Sequence, residues 1–68
     1  MTQAAKNKFG KMLYNERIKN GLTQLECAKK FGVSIVSFQN WERGVCAPRK
    51  DKFEMALEFI GASAEDFQ

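Results

Sequence analysis

The sequence has no histidine, a single proline and only two cysteines in its 68 residues. Each shortage removes a class of protein. Without histidine and without paired-cysteine spacing, neither a zinc site nor a histidine-based catalytic relay can be assembled. No nucleophile has an evident base and no glycine-rich phosphate loop is present, so neither an enzyme nor a bound cofactor is expected. Cys27 and Cys46 allow one disulfide at most, well short of the staple density of small secreted scaffolds. There is no signal-peptide core and no membrane-length apolar run, so the chain reads as cytoplasmic, with no membrane partner. Repeats, low-complexity tracts and linkers are also missing, which leaves one domain over residues 1–68.

What is present suffices for a core. Apolar residues make up 44% of the chain and include six Phe, one Tyr and one Trp, which argues against disorder. Net charge is +3, but its distribution is uneven. Residues 1–52 carry all eleven Lys and Arg against Glu16, Glu26, Glu42 and Asp51, a net +7. Residues 53–68 carry only Glu54, Glu58, Glu65 and Asp66, a net −4. A basic front with an acidic tail suits a surface that faces a polyanion.

Helical signals dominate and no strand alternation stands out. Ala5, Phe9, Leu13 and Arg17 recur every four residues, one face of a helix ending near Asn20-Gly21. Thr23-Gln24-Leu25-Glu26 is a capping box that starts a second helix, with Cys27, Ala28 and Phe31 inward and Gly32 as its stop. Ser34 caps a third helix running to about Arg43, anchored from below by Phe38 and Trp41. After a loop through Pro48, a fourth helix turns Phe53, Ala56, Leu57 and Ile60 to the core and closes at Gly61. Ser63 to Asp66 repeats the capping pattern and opens a short fifth helix.

Two short helices joined by about three residues, spanning roughly 23–43, follow the helix-turn-helix plan. At this point the chain resembles the Cro and phage-repressor family of helix-turn-helix regulators. The resemblance is carried by Phe9-Gly10, Leu13, Arg17, Gly21-Leu22-Thr23-Gln24, Glu26-Cys27-Ala28, Phe31-Gly32-Val33-Ser34, Trp41-Glu42-Arg43-Gly44, Pro48 and Gly61-Ala62-Ser63. It implies an all-α fold, a compact bundle of four to five short helices of the lambda-repressor-like kind. It further implies a partly buried ion pair between Arg17 and Glu42. It also implies a homodimer placed through the C-terminal region, with Met55 and Phe59 on the back of the fourth helix near Phe67. Glu16 departs from the family by standing at a place usually apolar, and Ile18 is expected to compensate.

On such a fold the outer stripe of the third helix enters the DNA major groove. At 100° per residue, Val36, Gln39, Asn40 and Arg43 form that stripe, flanked by Ile35 and Ser37. Asn40 and Gln39 can bond adenine with both ends of the amide, and Val36 and Ile35 can meet a thymine methyl. Ile35, Val36, Gln39 and Asn40 are therefore the expected base contacts. Gln24, Ser34, Ser37, Arg43, Arg49 and Lys50 are the expected phosphate contacts, and Lys6, Lys8 and Lys11 an arm or a basic helix start. The expected partner is double-stranded DNA at a pseudo-palindromic operator, read as a repressor or regulator. The apolar pair Ile35-Val36 leaves a second reading open, a protein-interaction module such as an antitoxin-like subunit.

Overall fold

Thr2 sets the start of the first helix, because its hydroxyl accepts the Ala5 N–H at 3.1 Å. The computed structural model describes residues 1–68 as four α-helices, a closing 3-10 turn and no strand. The helices are α1 (Gln3–Lys19), α2 (Gln24–Phe31), α3 (Ile35–Glu42) and α4 (Lys50–Ile60), with the 3-10 turn at Ala64–Phe67. No helix is long and apolar enough to cross a membrane. Ala5, Phe9, Leu13 and Arg17 form the buried stripe of α1. Ile18 lies off that stripe and is half exposed, so it does not replace Glu16 in the core. Glu16 accepts the Asn20 side-chain amide at 2.8 Å instead, which helps to close the helix.

The two ends of α2 are satisfied locally. Thr23 Oγ1 accepts the Glu26 N–H at 3.1 Å, and Glu26 Oε1 accepts the Thr23 N–H at 2.8 Å. Gly32 takes φ 69° and lets the Val33 N–H reach the Ala28 carbonyl at 2.9 Å. A residue with a Cβ would be strained there, so this three-residue turn depends on glycine. Ser34 then caps α3 by accepting the Ser37 N–H at 3.1 Å. Thr23→Ala should lower stability by about 1 kcal/mol, measurable by urea unfolding. The Thr23 N–H holds the Glu26 carboxyl below its ordinary value. That contribution is therefore present above the usual carboxylate range and is lost as acid protonates Glu26.

The core joins two aromatic groups. Phe31 packs against Phe38, Trp41 and Phe59, with centroids 5.6–6.2 Å apart. Phe9 meets Phe53 at 5.6 Å and Phe67 at 5.5 Å. This arrangement corrects the expected exposed face of α4. Phe67 is 2% exposed and closes the core over Phe9 and Phe53, while Phe59 stands edge-on to Phe31. Only Met55 of those three is exposed.

Both cysteines are free, and Cys27 is buried whereas Cys46 is exposed. Burial pushes the Cys27 thiol up, which keeps it protonated near neutrality. A thiol reagent should label Cys46 at once and Cys27 only after unfolding. Mass spectrometry of the labelled native chain checks this.

Candidate nucleic-acid interface

Helix α3 is held to the scaffold by two apolar anchors and one polar network. Phe38 and Trp41 are 0% and 5% exposed and tie its inner side to the core. At its C-terminal end, Arg17 Nε donates to Glu42 Oε2 at 2.6 Å and the Arg17 fork reaches Glu42 Oε1 at 3.3 Å. The same guanidinium donates to the Leu22 carbonyl at 3.0 Å and lies 5.2 Å from the Tyr14 ring centroid. Side-chain exposures of 10% and 5% make this a buried pair. The Glu42 hydrogen bond raises the Arg17 pKa above its ordinary value, against the opposing effect of burial.

The network runs further than Arg17 and Glu42. Gln24 Nε2 donates to Glu42 Oε1 at 2.9 Å, and Gln39 Nε2 donates to Gln24 Oε1 at 3.0 Å. The first residue of α2 is thereby tied to both the middle and the end of α3. Gln24 was expected to offer its amide to a phosphate. The structure turns that amide inward, because Glu42 is a stronger acceptor within reach.

The first helix makes a second brace. A Cβ at Gly10 would lie 2.5 Å from the Glu42 carbonyl oxygen and 2.6 Å from that of Trp41. Glycine is what lets α1 cross the end of α3 at that distance. Nearby, Gln3 Nε2 donates to the Gly44 carbonyl at 2.8 Å and fixes the turn that follows α3.

The outer side of α3 differs in detail from the helical-wheel expectation. Val36 is its most exposed member at 60%, and Ile35 is 36% exposed. Gln39 and Asn40 are half-buried. Asn40 sits lower than the wheel places it because the chain turns back after α3, with the Val45 N–H on the Asn40 carbonyl at 3.0 Å. Ser34 and Ser37 bond each other at 3.1 Å, so the Ser34 hydroxyl serves mainly as the cap of α3.

Arg43, Arg49 and Lys50 are exposed around the far end of α3 and the start of α4. A groove of about 390 Å³ lies there, lined by Ser37, Trp41, Pro48, Arg49 and Lys52 among others. Lys6, Lys8 and Lys11 belong to α1 and form no arm. Lys8 is turned to the closing turn, with Nζ 3.1 Å from the Asp66 carbonyl and 5.5 Å from the Phe67 ring centroid.

No group of three or more His, Cys, Asp or Glu side chains comes together to hold a metal. Comparison of the chain with family models, curated proteins and solved structures returned no match. The Gly10 crossing and the Gln24 links were not visible as contacts in the sequence. Only the order Phe9-Gly10 and the capping role of Thr23-Gln24 marked those places.

Proposed function

We propose that this chain is a helix-turn-helix protein that binds double-stranded DNA sequence-specifically and acts as a transcriptional repressor or regulator. The carrying observation is an outward α3 surface, braced from behind and bordered by exposed Arg43, Arg49 and Lys50. In this reading α3 enters the major groove, where Val36 and Ile35 meet thymine methyls and Asn40 and Gln39 read adenine edges. Arg43, Arg49 and Lys50 neutralise phosphates, and the first-turn N–H groups of α2 hold another. A homodimer on DNA would read two half-sites about one helical turn apart.

Selection of bound duplexes from a random pool, followed by titration at several salt concentrations, tests the reading. Log affinity should fall linearly with log salt, with a slope of about 0.9 per phosphate neutralised. Arg43→Ala and Arg49→Ala should each reduce that slope by about one unit across all sequences. A flat salt dependence sinks the proposal.

One observation favours a second reading. Val36 and Ile35 together expose an apolar start to α3, which suits docking of a protein as well as a thymine methyl. Val36→Gln and Asn40→Ala separate the two. Loss of DNA affinity supports the first reading, whereas intact DNA binding with loss of a protein partner supports the second.

A further inference from the structure

Four side chains form one directed line of hydrogen bonds from the scaffold to the outer side of α3. Arg17 donates to Glu42, Gln24 donates to Glu42, and Gln39 donates to Gln24. The direction of this line is dictated by its buried end. Arginine has donors only and stays protonated, so the Glu42 carboxylate stays ionised and accepts only. Gln24 must therefore present its NH2 group to Glu42 and its carbonyl oxygen to Gln39. Gln39, in turn, must spend one N–H on that oxygen.

What remains of the Gln39 amide is one N–H and the Oε1 atom. Neither has a partner within the chain, and no buried side-chain polar atom is left unpaired, so the Oε1 atom is open to solvent. One donor beside one acceptor is the complement of adenine in the major groove, which offers N7 as acceptor and the N6 amino group as donor. Guanine offers two acceptors there and does not match.

We infer that the Arg17–Glu42–Gln24 line is an orientation relay that sets Gln39 to read adenine rather than guanine. Gln39 is the specificity residue, and Gln24 and Glu42 are positioning residues that act through it. This rests on the DNA-binding reading above. It predicts an unusual consequence for a change distant from the bases. In Glu42→Gln, the new amide accepts from Arg17 with its oxygen and offers its NH2 to Gln24. Gln24 then flips, donates to Gln39 Oε1, and leaves Gln39 with two outward donors.

The test compares duplexes recovered by the unaltered chain. The Gln39 position is the one whose discrimination disappears in Gln39→Ala. Replacing adenine there by guanine, or by 7-deazaadenine, should weaken binding by about 5- to 150-fold. Glu42→Gln should bring the adenine-to-guanine ratio close to one or invert it. Should Glu42→Gln fail to fold, Gln24→Ala is the second arm. It frees the Gln39 amide to rotate, so the ratio should collapse even where affinity for all sequences falls alike. A ratio unchanged in Gln24→Ala, or in a folded Glu42→Gln, overturns the relay while leaving DNA binding intact. NMR of the free chain isolates the relay from the DNA reading. The side-chain amide protons of Gln24 and Gln39 should show hydrogen-bonded shifts and slow exchange, and their absence overturns the relay whatever DNA does. Failure of the unaltered chain to bind any duplex, with those signals present, overturns the DNA reading and with it the assignment of Gln39 to adenine.

Discussion

Arg17→Met should destabilise the chain by roughly 3–5 kcal/mol, because it leaves the Glu42 carboxylate buried without its cation. Glu42→Leu should cost a similar amount through the stranded guanidinium. The double variant should be much milder than the sum, since two apolar groups can fill the site without a charge to desolvate. Urea unfolding of the four proteins measures this directly, and simple additivity would show that the pair is not coupled. The size of the effect follows from the side-chain exposures of 10% and 5%. An exposed pair of the same geometry would contribute about 0–1 kcal/mol. A chain of 68 residues has little stability to lose, on the order of 3–10 kcal/mol in all. Arg17→Met should therefore sit near its unfolding midpoint at ordinary temperature.

Gly10→Ala should be destabilising, against the usual trend for a helix interior. On an exposed helix this change would gain about 1 kcal/mol through reduced backbone freedom. Here the added methyl meets the backbone carbonyls of Trp41 and Glu42 at 2.5–2.6 Å, and backbone cannot swing aside as a side chain can. Moving α1 away from α3 would also strain the Arg17–Glu42 pair and the Gln3 link to Gly44. The net loss should be about 1–3 kcal/mol, in the range for overpacked sites. A thermal midpoint that rises in Gly10→Ala would show that the crossing yields easily. DNA affinity provides a second reading of the same change, because tilting α3 moves its whole outer side.

These two results bear on how the candidate interface is built. The outward residues of α3 occupy one short helix, which by itself would be marginal in water. Its position is set from behind by Phe38 and Trp41, from one end by Glu42, and from the side by Gln24 and Gln39. A rigidly held helix presents fixed donors and acceptors, and that rigidity is what sequence reading at base edges requires.

Much of this was legible in the residues. Thr23 with Glu26, Ser34 with Ser37, and the stops at Gly32 and Gly61 all act within a few positions of one another. Hydrogen bonds of that range are written into local order, so helix ends can be read without knowing the fold. The inward faces of α1, α2 and α3 were equally readable from a period of 3.6 residues. The resemblance to phage repressors further implied the Arg17–Glu42 pairing across 25 positions.

Other features lie outside that range. Phe59 and Phe67 look alike in the sequence as apolar residues beyond the α4 core stripe. Packing assigns Phe59 to Phe31, and Phe67 to the slot between Phe9 and Phe53. Asn40 has an outward place on a helical wheel, yet the turn after Gly44 covers part of it. Gln24 has a polar amide at a helix start, and only the nearness of Glu42 decides that it points inward.

The sequence alone therefore determined an all-helical chain, its helix boundaries and its main buried faces, because capping and periodicity act over three or four residues. The tertiary structure decided how closely α1 crosses α3 and how Phe67 closes the core. It also decided which way the Gln24 amide turns. Each depends on groups 15 or more positions apart, whose meeting is set by the angle and distance at which whole helices pack.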